Sequence, residues 1–94
     1  IKQELFLEHM RNAIDKNKVY PNSARRRAIE GEVQISFFLQ ADGDVKDIEL
    51  VFGKSIFKGS AIEAITKSFP LKVEKELFSF PKKFYITLAY SLKS

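Results

Sequence analysis

From residue 33 to residue 40 apolar and polar side chains alternate, and the alternation runs straight into Asp42-Gly43. Val33, Ile35, Phe37 and Leu39 point one way, and Gln34, Ser36, Phe38 and Gln40 the other. A period of two marks a half-buried strand. Asp-Gly marks a tight turn, because glycine takes the positive φ that such a turn needs. A second strand-like run follows over 45–52, with Ile48, Leu50 and Phe52 read as its apolar face. Val45 is out of phase with those three, which predicts a bulge or a late strand start. The chain must therefore fold round an antiparallel hairpin.

The flanks supply helices and one more strand. Residues 3–17 place Phe6, Met10, Ala13 and Ile14 at i, i+4, i+7 and i+8, the stripe of an amphipathic helix. Pro21 stops that helix and pushes Tyr20 into an extended conformation. Residues 21–31 read as a polar, basic connector ending at Gly31. Beyond the hairpin, Ser60-Ala61-Ile62-Glu63 has the pattern of a helix capping box. Ile62, Ile65 and Phe69 form the helix's apolar stripe, and Pro70 ends it. Residues 70–81 form a long connector. The last strand, 84–92, carries Phe84, Ile86, Leu88, Tyr90 and Leu92 on one face and Tyr85, Thr87, Ala89 and Ser91 on the other.

Strand order follows from chemistry. The first strand is apolar on one face and has Phe38 on the other, so it belongs in the centre. The second carries Lys46, Asp47 and Glu49, charges that protect an edge. A right-handed crossover then lays the third strand beside the first. The predicted fold is α+β: two helices on one face of a three-stranded antiparallel sheet of order 2-1-3. Residues 84–92 contain no charge and no proline, and Lys82, Lys83 and Lys93 flank them as gatekeepers. Either that strand is apolar because it is central, or it is an open edge that accepts a partner's strand.

Composition narrows the function. Ninety-four residues make one domain, 1–94, in which 1–19 is the helix and lead-in and 20–94 the core. Nine Phe and three Tyr can fill a core, and the absence of Cys rules out disulfides and thiolate metal sites. No apolar run approaches ~18 residues, the length of a membrane span. The chain begins at Ile1 without a signal-peptide pattern, as expected of a piece of a longer protein. The single histidine, His9, has Leu5, Phe6 and Ala13 at helical spacing rather than acids, so it reads as structural. Asp42, Asp44 and Asp47 lack the closing Glu of a calcium loop and read as turn and edge charges. No catalytic residue, metal site or cofactor is expected, and the chain is read as non-enzymatic. Arg25-Arg26-Arg27 in a chain of net charge +4 raises nucleic acid as a partner. Phe38 and Tyr85 would be the stacking residues of a small RNA-binding domain. The helix start at Lys58-Gly59-Ser60 lacks the basic cluster of a double-stranded-RNA domain. Nucleic acid is therefore not the expected partner.

The residues around the arginines resemble a known signature. Tyr20-Pro21, Ala24-Arg25, Ile29-Glu30-Gly31-Glu32-Val33, Phe37, Asp42-Gly43, and Val45 with Ile48 and Leu50 match the pattern of the TonB carboxy-terminal domain family. Ala61, Ile62, Ala64 and Ile65 look like that family's second helix, and Phe69-Pro70 like its Phe-Pro ending. The family's Trp-Arg segment has no counterpart here, and Lys58-Gly59 stands where Leu-Asp is usual. The resemblance implies a periplasmic domain of a protein anchored in the bacterial inner membrane, working with ExbB and ExbD. It implies binding of the TonB box of outer-membrane TonB-dependent receptors by strand addition. The cargoes would be iron siderophores, haem, vitamin B12 or other metal complexes. The strand-accepting edge would be Phe84, Tyr85, Ile86, Thr87, Leu88, Ala89, Tyr90, Ser91 and Leu92. A lead-in segment of Asn17, Val19, Tyr20 and Pro21 would frame the site, and Arg25, Arg26 and Arg27 would steer acidic receptor residues. A TolA-like periplasmic adaptor is the alternative of similar architecture. An uncharged edge also invites a strand-swapped homodimer.

Overall fold

Phe6, Met10 and Ile14 are spaced for one helical stripe, and all three are buried on helix α1 (Lys2–Asn17) of the computed structural model, which describes residues 1–92. Glu4 in its first turn and Lys16 in its last complement the helix dipole. The chain then turns extended at Lys18. The stretch read as a polar, basic connector contains a short helix, α2 (Asn22–Arg26). Pro21, with φ fixed at −62°, stands just ahead of that turn, and the wholly buried Ala24 pins it to the core.

Strand β1 (Gly31–Leu39) forms the hairpin with β2 (Val45–Gly53), and β3 (Lys82–Tyr90) pairs antiparallel with the other side of β1. The sheet order is β2-β1-β3, as the edge charges of the second strand and the crossover predict. Val33, Ile35, Phe37 and Leu39 are fully buried beneath the helices. Gly43 takes φ +89° in the turn, and its carbonyl accepts a bond from the Leu71 amide at 2.9 Å. Strand β2 carries two irregularities rather than one. Asp47 bulges with φ +54°, which brings Val45 into phase opposite Leu39. A second shift leaves Val51 without a partner, so Phe52 faces Gln34 on the outer side and is 53% exposed. Phe52 therefore does not share the apolar face with Ile48 and Leu50.

Helix α3 (Lys58–Ser68) follows a single 3-10 turn, Ser55–Phe57. The capping box does not form. With the helix starting at Lys58, Ser60 falls inside the first turn, and its hydroxyl donates to the Val19 carbonyl instead. Glu63 lies 3.9 Å from Lys67 one turn on. The buried face of α3 is Ala61, Ala64, Ile65 and Ser68, with Ile62 at its half-buried border. Small residues there let α1 pack closely on α3. The connector 70–81 has no regular element, yet it closes the core. Phe78 meets the rings of Phe6 and Phe84 at 5.9 and 5.4 Å, and Gln3 Nε2 donates to the Leu77 carbonyl at 2.6 Å.

Candidate functional site

Strand β3 is an edge: its inner side pairs with β1, and among the described residues no strand pairs with its outer side. Its alternation separates two jobs. Ile86, Leu88 and Tyr90 are buried, with Phe84 half-buried behind them. Tyr85 and Ala89 are exposed and Thr87 is half-buried on the face away from the helices. The strand ends at Tyr90, so Ser91 and Leu92 lie beyond it. The Leu92 amide donates to the Glu30 carboxylate at 2.7 Å. The expected gatekeeper Lys93 lies outside the described residues.

In a strand, the N–H and C=O of one residue point to the same side, and the next residue's point to the other. The carbonyls of Thr87 and Ala89 face away from β1, because two side chains of the α1 region reach them. Arg11 Nη2 donates to the Thr87 carbonyl at 2.6 Å, and Lys18 Nζ donates to that of Ala89. The edge is thus open to strands but not bare. Sequence reasoning missed both cations. Their signal was there: positions 11 and 18 are seven apart and share one side of the helix and its extension.

The lead-in segment is tied to the end of β3 by aromatic packing. Tyr20 meets Phe57 and Tyr90 edge-on at 5.8 and 5.7 Å, and Phe57 stacks on Tyr90 at 4.2 Å and 10°. The Tyr20 hydroxyl donates to the Ile29 carbonyl. Ser60 Oγ bonds both the Val19 carbonyl and, at 2.9 Å, the Tyr90 hydroxyl. Asn17 Nδ2 donates to Ser68 Oγ at 3.0 Å. Val19, Tyr20 and Pro21 form one wall of a shallow cleft whose other wall is Ile56, Gly59, Ser60 and Glu63. Burial raises the pKa of Tyr90, and the Ser60 hydrogen bond offsets part of that rise. Burial and the Glu30 charge raise that of Tyr20, while Arg25 pulls it back.

The structure separates the arginines. Arg25 lies 5.3 Å from the centre of the Tyr20 ring, a cation–π contact, while Arg26 and Arg27 are exposed at the end of α2. None of the three makes an ion pair among the described residues. Phe38 and Tyr85 flank Lys83, whose ammonium sits 5.5 and 5.3 Å from their rings. His9 is exposed on α1.

These features define an α+β domain in which the edge strand β3 is framed by an anchored lead-in. Residues 16–92 match the family model described as Gram-negative bacterial TonB protein C-terminal. The chain is 40% identical over 93 residues to "Protein TonB" of two Helicobacter pylori strains, covering 94% of this chain. It spans only 30% and 31% of the length of those relatives. It also resembles two solution structures of the Helicobacter pylori TonB carboxy-terminal domain. One, of residues 194–285, has a TM-score of 0.67 at 38% identity, covering 95% of this chain and 96% of that one. The other, of residues 179–285, has a TM-score of 0.71 at 35% identity, covering 95% and 82%. The chain belongs to the family of TonB carboxy-terminal domains, which are not enzymes.

Proposed function

We propose that this chain is the receptor-grasping end of an energy transducer. It works in the periplasm and adds the TonB box of an outer-membrane TonB-dependent receptor as a strand on the outer side of β3. The parent protein, anchored in the inner membrane and coupled to ExbB and ExbD, would supply the pull that opens the receptor to iron siderophores, haem, vitamin B12 or other metal complexes. Residues 1–94 act as one receptor-binding unit.

The observation that carries this reading is the β3 edge itself, nine residues long with its outer carbonyls turned away from the sheet. An added strand of about five residues makes some 4–5 backbone bonds, each contributing ~0.5–1.5 kcal/mol net. Ordering a disordered box costs ~1–2 kcal/mol per residue, so the two nearly cancel. Side chains must supply the usable affinity. Tyr85, Thr87 and Ala89 are placed for this on the open face, and Val19, Tyr20 and Pro21 beside its end. Arg25, Arg26 and Arg27 would contact acidic receptor residues, where guanidinium pairs bidentately with carboxylate. The grip is weak and reversible, yet a row of bonds loaded together bears force along the strand.

A titration with a peptide spanning a receptor's box tests this by amide chemical shifts. Shifts should concentrate in 84–90. Shifts confined to 25–27 would sink the strand-addition reading. Concentration-dependent sedimentation would report a strand-swapped homodimer, which uses the same edge.

A further inference from the structure

The two cations on the β3 edge bond it on the side that the sheet leaves unpaired. Strand β3 is already held on its inner side by nine register pairs with β1, and α1 is anchored by Phe6, Met10 and Ile14. Yet Arg11 and Lys18 each spend a charged side chain on a neutral backbone carbonyl, with Lys18 also 5.2 Å from the centre of the Tyr90 ring. Within α1, Glu8 and Asp15 stand three and four residues from Arg11, and neither forms an ion pair with it among the described residues. A guanidinium bonds a carboxylate more strongly than a carbonyl. An added strand needs those same two carbonyls for its own N–H groups.

We infer that Arg11 and Lys18 form an exchangeable latch that selects an acidic strand. In the free domain they occupy the Thr87 and Ala89 carbonyls. An arriving extended segment takes over those carbonyls with its backbone amides, and the released cations close on its carboxylate. The register is specific. Thr87 and Ala89 bracket Leu88, whose side chain points to the helix face. Residues that face each other across neighbouring strands point to the same face, whichever way the added strand runs. The carboxylate therefore belongs on the residue opposite Leu88, where it comes down between the two released cations. A neutral segment must displace the latch and gains nothing from it. This inference rests on the strand-addition reading and adds the chemistry of the segment accepted.

The test uses two blocked seven-residue peptides, acetyl-Thr-Thr-Val-Glu-Val-Thr-Thr-amide and its counterpart with Gln for Glu. Affinities come from amide shifts and calorimetry at low salt. The wild-type chain should prefer the Glu peptide about fivefold, the scale of two partly exposed ion contacts. In the Arg11→Met/Lys18→Met chain the preference should fall to about one, with the Gln peptide bound at least as tightly as by wild type. Arg11→Lys/Lys18→Arg should keep the preference, showing that charge and not shape is read. Raising salt to about 0.5 M should erase it in all chains. The latch is overturned if both peptides shift residues 84–90 but the preference survives the double Met change. It is equally overturned if that change weakens both peptides alike. If neither peptide shifts 84–90 in the wild-type chain, strand addition itself fails and the latch falls with it.

Discussion

Proline substitutions at residues 87 and 88 meet opposite sides of the same strand. Leu88 pairs with Val33 and is fully buried, and its amide faces β1. Leu88→Pro removes a ladder bond, leaves a buried carbonyl on β1 without its donor, and loses most of a buried leucine. Together these cost about 4–9 kcal/mol. A 94-residue domain has roughly 5–14 kcal/mol in all. That chain should be largely unfolded. Thr87 turns its amide outward, away from β1, as its Arg11-bonded carbonyl shows. Thr87→Pro costs no ladder bond, only backbone strain of about 1–2 kcal/mol, and Ile86 before it is already extended. Tm should drop by roughly 5–15 °C while the fold persists. For a strand added at the outer side, however, one donor is gone and a pyrrolidine ring stands in its path. Binding of a receptor-box peptide should weaken more than about tenfold. Urea unfolding followed by circular dichroism gives the stabilities, and calorimetry gives the affinities. If folded Thr87→Pro binds the peptide as wild type does, the peptide does not lie on β3. If Thr87→Pro unfolds as completely as Leu88→Pro, the side assigned to each amide is wrong.

Three further outcomes follow from the same geometry. Gly43→Ala places a Cβ 2.0 Å from the Leu71 carbonyl oxygen at a φ of +89°, so it should cost about 2–4 kcal/mol in urea unfolding. Tyr20 and Tyr90 have raised pKa values, so the fold favours their neutral forms; Tm should hold below about pH 10 and fall as pH rises through the folded values. Tyr20→Phe/Tyr90→Phe should flatten that alkaline decline, and a decline of unchanged steepness would contradict the assignment. Neutralising Arg25, Arg26 and Arg27 to Gln should leave the fold intact apart from about 0.5–1 kcal/mol for the Tyr20 contact. It should weaken receptor binding a few-fold at low salt, a difference gone by about 0.5 M.

Much of this fold can be read from periodicity, because burial imposes it. The alternation at 33–39 and the stripe at Phe6, Met10 and Ile14 survive unchanged, since moving either by one residue would expose the core. What periodicity misreads are places where one residue breaks phase. Val51 is such a residue, and it moves Phe52 to the outer face. Ser60 was misread for another reason: a capping motif states what a side chain could bond, whereas the 3-10 turn at Ser55–Phe57 decides where the helix begins. The candidate edge was visible as an uncharged run at the end of the sheet. The seven-residue spacing of Arg11 and Lys18 could pair them on one side of the chain but not name their targets, which are backbone carbonyls 76 and 71 residues away.

The two bulges in β2 have a consequence for assembly. A strand that docks on a sheet needs donors and acceptors at even intervals, and β2 breaks its intervals at Asp47 and again near Val51. Growth from that side is blocked even though Val51 and Phe52 are exposed. Only β3 remains regular. A sheet with one usable margin can take on a single guest, and then has none left to offer. Two copies joined margin to margin would be finished in the same way. On the proposed reading, the molecule keeps one strand-accepting edge without the means to propagate into a filament.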